Sequence, residues 1–291
     1  MKNILITGGT GFVGRNLMES LSGQYAIFAP SHKELELLDY DALEQYVLEN
    51  RIDVIIHSAI HVPMFNGAEK EFFNDMQMFT NMEKISHRVE KLIYFGSGAE
   101  FDKRYDIYMA KEETLGKTIP TSEYGLAKYT MNLIARQSSN IYNLRLFGIF
   151  GKYELWNIKF LSGLCCKALF DLPLTVRKDC YFDFISIEDL GAIVSWFIEN
   201  EPKWHDYNIC YGKPYLLSEL AQMVKRISGK ELQVKLLSNE RNVDYCADNT
   251  RLLEQIPQLR ITPMEEALTR LYQYYDDNRH LIDVDVLKKS I

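Results

Sequence analysis

The chain has no apolar run near the roughly 18 to 20 residues that a membrane-crossing helix needs. A cationic, apolar leader is not expected. Residues 1–7 carry one cation and a short apolar stretch that runs into glycines, and they read as a buried strand rather than a signal peptide. Paired cysteines of the CxxC kind are absent. The five present, Cys165, Cys166, Cys180, Cys210 and Cys246, are odd in number and scattered. That pattern argues against a zinc site and against a disulfide framework. The cytoplasm is then the expected compartment. There is no basic excess either: 33 Lys and Arg against 40 Asp and Glu give a formal net charge of -7. A nonspecific nucleic-acid binder is disfavoured, although a local basic pocket for a phosphorylated small molecule is not. Repeats and low-complexity linkers are also missing, so no tethered module is expected.

What is present is an ordinary globular composition. The 291 residues are 47% hydrophobic and 25% charged. That length suits one large domain or two small ones, with a core that needs no metal or disulfide. The first half alternates strand-like segments (2–7, 25–29, 53–57, 91–95, 141–147) with helix-like ones (11–22, 40–50, 69–88, 123–139). Uninterrupted apolar strands between helices predict an α/β, doubly wound parallel sheet covered on both faces. After about Gly151 the pattern changes. Helices are expected over 156–170, 188–199, 218–228, 249–255 and 263–275, and again from about Asp276. Short strands are expected over 181–187, 207–210 and 232–236.

Thr7-Gly8-Gly9-Thr10-Gly11-Phe12-Val13-Gly14 lies between the first strand and the first helix. Gly8 permits the tight turn, Gly11 lets backbone approach a pyrophosphate, and Gly14 lets the helix pack closely on the strand. The helix N-terminus, from Phe12 and Val13, offers free N–H groups to phosphates. At the end of the second strand an acid would hold the ribose 2′-hydroxyl of NAD. Here Ala29-Pro30 leads into Ser31, His32 and Lys33, which suit a 2′-phosphate. NADP is therefore expected, with NAD as the alternative. Asp39 is a candidate neighbour of the adenine.

Tyr124 and Lys128 stand at i and i+4 at the start of a helix, on one face. A nearby ammonium favours the phenolate and is expected to lower the tyrosine pKa, making Tyr124 a proton donor or acceptor. Ser97, at the end of strand 91–95 and its Phe95-Gly96-Ser97-Gly98 continuation, could bond the same substrate oxygen. Ligands bind at the carboxyl ends of such strands.

Taken together, these residues resemble the extended short-chain dehydrogenase/reductase family, the NAD(P)-dependent nucleotide-sugar epimerases, dehydratases and reductases. Three further segments are similar to it: His57-Ser58-Ala59, like the cofactor-lining H-x-A; residues 143–151; and residues 184–190, like F-x-H-V-x-D. The resemblance implies a Rossmann-type sheet with a smaller α+β C-terminal substrate domain. Residues 1–152 and about 185–205 would form the first, and 153–184 and 206–291 the second. It implies Ser97, Tyr124 and Lys128 as catalytic residues. Tyr124 would be the acid/base, Lys128 would bind the nicotinamide ribose, and Ser97 would orient the sugar C4 oxygen. His57, Ser58 and Ala59 would line the cofactor, and a homodimer would form through helices 69–88 and 123–139.

Departures narrow the reaction. The family's 4,6-dehydratases carry an Asp-Glu pair after the serine or threonine. Gly98 and Ala99 stand there, and Glu100, one residue late, is expected to point away. GDP-fucose synthases, similar over residues 33–39, use a cysteine where Ala99 stands. They use a histidine in a region where this chain has Cys165-Cys166-Lys167, which reads as buried cysteines on an amphipathic helix. Residues 97–102 are also similar to a segment of dTDP-4-dehydrorhamnose reductases. Two reactions remain: reduction of a 4-keto nucleotide sugar, which NADP favours, and C4 epimerisation with retained NAD. A noncatalytic cofactor-binding sensor on the same fold is the alternative of another class. The family often has a diphosphate-binding arginine where Phe182 stands. Arg177, Lys178 and Arg241 are candidates to replace it, and Asn157 is a further substrate candidate. His57 and His61 lack carboxylate support and are expected to pack or line the cofactor, so no metal is expected. Tyr272, Tyr274 and Tyr275 are expected to pack.

Overall fold

The structure is a computed structural model and describes residues 1–61 and 71–289. Along the chain come β1 (Asn3–Thr7), α1 (Phe12–Leu21), β2 (Ala26–Phe28), α2 (Tyr40–Glu49), β3 (Val54–His57), α3 (Glu71–Ile85), β4 (Lys91–Ser97) and β5 (Ile107–Ala110). They are followed by α4 (Glu123–Ala135), β6 (Ile141–Leu146), β7 (Gly148–Phe150), α5 (Phe160–Leu169), β8 (Leu174–Val176), β9 (Tyr181–Phe182), β10 (Phe184–Ser186) and α6 (Ile187–Glu199). The rest is β11 (Asp206–Ile209), β12 (Tyr215–Leu216), α7 (Leu217–Ser228), β13 (Val234–Leu236), β14 (Tyr245–Ala247), α8 (Thr250–Gln255), α9 (Met264–Asp277) and α10 (Val284–Lys289).

Six strands form one parallel sheet in the order β11-β6-β4-β3-β1-β2. Alternate side chains on a strand face opposite ways, and here that splits the apolar runs between two cores. Ile4, Ile6, Val54, Ile56, Ile93 and Leu144 pack with α1 and α6. Leu5, Ile55, Leu92 and Ile141 pack with α2, α3 and α4 on the other face. Thr7 is in register with His57, His57 with Tyr94, and Ser97 with Leu146. That register lines up the glycine turn, residues 57–59 and Ser97 along one edge of the sheet.

The domain division differs from expectation: β5 and β7, expected within residues 1–152, pair with β14 and β10 of the smaller unit, and β11 lies in the main sheet. Residues 206–209 were assigned to the smaller domain, yet β11 is the edge strand of the main sheet, paired with β6. Leu252 and Ile256, on and just after α8, join the same core as Ile4. The strand reads Asp-Tyr-Asn-Ile, and its polar Asp206 and Asn208 are buried in an ion-pair network rather than exposed. Hydrophobic patterning expects a strand here but cannot place so polar a strand in the main sheet.

The smaller unit holds a four-stranded sheet, β12-β9-β14-β5, and the pairs β10-β7 and β13-β8. Its core is formed by α5, α7 and α9 and includes Cys165 and Cys166. All five cysteines are free and buried, and burial pushes the thiol of Cys166 up to about 12. Cys165 and Cys166 therefore pack rather than react.

Some helix ends differ from expectation: α5 starts at Phe160 and α4 stops at Ala135. Of the helix expected over 69–88, Glu69 and Lys70 lie outside the described residues, α3 ends at Ile85, and a 3-10 turn covers Ser86–Arg88. No described helix is long and apolar enough to cross a membrane.

Candidate active site

Gly8 has φ +71, the left-handed region that favours glycine. Its carbonyl accepts Gly11 N–H at 2.9 Å. A Cβ on Gly14 would overlap that carbonyl, whereas a Cβ on Gly11 would meet only Gly8 O, at 3.2 Å. Gly14 therefore seats the helix on the turn, while Gly11 leaves an approach open. Gly11 caps α1 without a side-chain bond, and the first turn carries no acid. The N–H groups of this turn and the positive end of the helix can accept a pyrophosphate. Ser58 donates to Thr7 O at 2.6 Å and Ala59 N–H approaches Thr7 Oγ1 at 3.4 Å, which ties residues 57–59 to the turn. His57 Nδ1 bonds Thr7 Oγ1 at 2.8 Å. Burial, then Lys128, pushes the His57 pKa down to about 3, so its imidazole is neutral. These residues fit a dinucleotide.

At the end of β2, Ser31 N–H and Oγ–H both donate to the Glu34 carboxylate, at 2.7 and 2.8 Å. The turn thus already presents two donors to an anion. His32 pairs with Glu36 at 3.2 Å, and Lys33 is exposed. Asp39, expected beside the adenine, instead caps α2: its Oδ1 accepts Ala42 N–H at 3.1 Å. An acid at a helix N-cap satisfies an otherwise unpaired N–H.

Ser97, Tyr124 and Lys128 converge. Ser97 ends β4, and its Oγ accepts Ala99 N–H at 3.1 Å. Tyr124 opens α4, which Ser122 caps through Gly125 N–H at 3.2 Å. A Cβ on Gly125 would lie 2.6 Å from Ala99 O. Glycine beside Tyr124 therefore lets the helix press on the turn after Ser97. The Ser97 hydroxyl interacts with Tyr124. Lys128 donates to Phe95 O at 3.0 Å, and its Nζ lies 5.9 Å from the Tyr124 ring centroid.

The expected fall in the Tyr124 pKa is not what this geometry produces. Burial pushes it up to about 12, and Asp75, Glu100 and Glu71 add to the rise, while Ser97 opposes it. Lys128 is itself desolvated, which lowers its pKa against the pull of Asp75 and Glu100. At neutral pH the Tyr124 hydroxyl keeps its proton.

Glu100 turns away from the cleft, as expected. It is fully buried, takes Ser97 N–H at 3.1 Å, and pairs with Arg145 Nε at 2.7 Å. A Cβ on Gly96 would overlap its carboxylate. Arg145 also bonds Asn208 at 2.9 Å and Asp206 at 2.9 Å. Arg136 and Arg251 reach Asp206 at 2.7 and 3.0 Å. Burial raises the Asp206 pKa, but Arg145 and Arg136 more than reverse the effect.

Among the described residues, the substrate candidates Asn157, Arg177 and Arg241 make no hydrogen bond to Ser97, Tyr124 or Lys128. Asn157 and Arg177 are exposed. Arg241 pairs with Asp244 at 3.1 Å and lies 5.4 Å from the Tyr181 ring centroid. Phe182 stacks 4.5 Å from Phe184 and 4.9 Å from Tyr245, so it packs. Three residues went unnoticed in the sequence. Tyr245 brings its hydroxyl to Ser97 from the smaller unit. Lys103 Nζ lies 4.6 Å from the Tyr245 ring centroid. Desolvation by the surrounding chain, then the like charge of Lys159, lowers the pKa of Lys103, whose side chain still reaches solvent, so the two cations lie near one another. Asp75, on α3, accepts His61 N–H at 2.6 Å.

Residues 4–210 match the family model described as the NAD dependent epimerase/dehydratase family. The chain belongs to that family. It is an enzyme of nucleotide-sugar chemistry that uses a nicotinamide dinucleotide. It is 26% identical over 253 residues to a GDP-L-colitose synthase of Yersinia pseudotuberculosis, covering 78% of this chain and 82% of that one. It is 27% identical over 294 residues to a GDP-6-deoxy-D-talose 4-dehydrogenase of Aggregatibacter actinomycetemcomitans, covering 93% and 97%. Among solved structures, a GDP-L-fucose synthetase from Naegleria fowleri bound to NADP superposes with a TM-score of 0.82 at 20% identity, over 96% of this chain and 95% of that one. At that identity the likeness speaks for the fold.

Proposed function

We propose that this family member reduces the C4 keto group of a GDP-linked deoxysugar, with NADPH as reductant and Tyr124 as proton donor. The observation that carries this reading lies beside Ser97. Gly98 and Ala99 bring no acid to the substrate, and Glu100 is turned into the Arg145 network. The positions from which relatives of the family act on neighbouring carbons are therefore empty of acid–base groups, and the Ser97–Tyr124 pair is suited to a carbonyl. The names of the GDP-sugar relatives support the guanosine diphosphate. Lys103 and Lys159 are the cations proposed to face it.

Ser97 and Tyr124 hold the C4 oxygen, and Tyr124 passes its proton to it. Lys128, buried beside them, would in its ammonium form stabilise the phenolate left behind. Once bound, the dinucleotide supplies the hydride to C4. Ser31, with Lys33 nearby, would take the 2′-phosphate, which displaces Glu34 from the two Ser31 donors. The reaction would belong to deoxysugar or surface-polysaccharide synthesis in the cytoplasm.

The test has two parts. Mass spectrometry identifies the dinucleotide released on denaturation, and NADPH consumption is followed with GDP-4-keto-6-deoxymannose. Readily exchanged NADP(H) and one NADPH consumed per 4-hydroxy sugar formed are expected. Tightly held NAD near full occupancy would instead identify an epimerase.

A homodimer through α3 and α4 is part of the proposal. These helices pack on one another, and each keeps an apolar side chain outside: Phe73 is 71% exposed and Leu133 44%. Sedimentation equilibrium is expected to give twice the chain mass, and Phe73→Asp is expected to give the single mass. A wild-type protein that sediments at the single mass would remove this part.

A further inference from the structure

One buried hydroxyl at the reacting centre is unused by the chemistry above. Tyr245 stands on β14, in the smaller unit. Its ring is held 5.0 Å from that of Phe147 and 4.9 Å from that of Phe182, centroid to centroid. Its hydroxyl rests over Gly98. Any Cβ there would overlap Tyr245 Oη and come within 2.6 Å of Cζ. The position after Ser97 is glycine, then, because another strand fills its side-chain space. The same hydroxyl interacts with Ser97 and lies near enough to Tyr124 for ionisation of one to disfavour that of the other.

A hydroxyl has one proton to donate and two lone pairs to accept with. One lone pair of Ser97 Oγ already takes Ala99 N–H. We propose that Tyr245 is a positioning residue whose hydroxyl donates to the second lone pair of Ser97, so that the single Ser97 proton is directed at Tyr124, and at the substrate oxygen in its place once the sugar binds. With both lone pairs filled, Ser97 can only donate. Burial holds the Tyr245 pKa well above its ordinary value, so the donor persists across the working pH range. The bonds then run one way, from Tyr245 to Ser97 to Tyr124, and each polarises the next. This deepens the proposed reduction and rests on the same Ser97–Tyr124 centre.

Neutron diffraction from crystals of the NADP-loaded protein grown in heavy water locates the deuterons. The Tyr245 deuteron is expected on the line to Ser97 Oγ, with the Ser97 deuteron directed away from Tyr245. A Ser97 deuteron aimed at Tyr245 overturns the proposal. In kinetics with NADPH and GDP-4-keto-6-deoxymannose, Tyr245→Phe keeps the ring and removes only the hydroxyl. It is expected to lower kcat about tenfold with the KM for NADPH unchanged. In a Ser97→Ala background the same change is expected to cost less than about twofold, because the effect passes through Ser97. Equal losses in both backgrounds would show that Tyr245 acts elsewhere, and would overturn the proposal. A wild-type protein inactive on this sugar counts against the reduction alone, since the deuterons decide the arrangement without any sugar.

Discussion

Tyr124→Phe is expected to lower the reduction rate by about 10²- to 10⁴-fold, the usual worth of a positioned general acid. The ring stays, so α4 keeps its place against the turn after Ser97. The dinucleotide Kd is expected to change less than about twofold, because the glycine turn does not depend on the hydroxyl. Single-turnover NADPH oxidation, with dinucleotide binding measured beside it, separates the two quantities. A rate near that of the wild type would point to a different proton source. The pH dependence provides a second check. With a Tyr124 pKa of about 12, the donor is fully protonated through neutrality, so Tyr124 imposes no slope on reduction there. The reverse oxidation needs the phenolate. Its rate is expected to rise about tenfold per pH unit over the same range. A reduction rate that falls through pH 7 would show that the dinucleotide-loaded site lowers this pKa strongly.

The glycine turn and the Ser97, Tyr124 and Lys128 set were legible because each depends on local spacing. Gly8, Gly11 and Gly14 do steric work within one turn, and Tyr124 and Lys128 share one helical face. The sheet itself was legible from its apolar strands. Contacts that join distant segments left no local pattern. The strand at β11 was legible but not its place in the main sheet, because its polar residues are satisfied inside, by Arg145, Arg136 and Arg251. Tyr245 reaches Ser97 across nearly 150 residues of chain, and only Gly98, a glycine in a turn with no positive φ to explain it, marks the space that it fills. The Tyr124 pKa could not be judged from Lys128 alone. The sign depends on burial and on Asp75, Glu100 and Glu71, whose positions only the fold supplies.

The largest expected effect on stability is that of Arg145→Met. Arg145 is fully buried and holds Glu100 and Asp206, which are buried too. Methionine fills much of the space but leaves the Glu100 carboxylate with Asn143 and one backbone N–H as its remaining partners. Breaking a buried ion pair on one side costs about 3–5 kcal/mol, and that loss is expected in urea unfolding. The two carboxylates are not equally affected. Asp206 keeps Arg136 and Arg251, so most of the loss should belong to Glu100. Two consequences follow. The lone Glu100 of the variant should have a folded-state pKa raised above its unfolded value. Its neutral form is then tolerated at low pH, and stability falls as pH rises through the folded pKa. The deficit against the wild type should therefore be larger at pH 8 than at pH 5.5. The second consequence concerns Glu100→Gln combined with Arg145→Met. The amide is neutral and can still accept Ser97 N–H, so the double variant should recover more than half of the loss. If it recovers nothing, and the deficit is the same at both pH values, the cost comes from the cavity left at Arg145 rather than from an unpaired charge. Ser97 would then owe its position to packing instead of to Glu100.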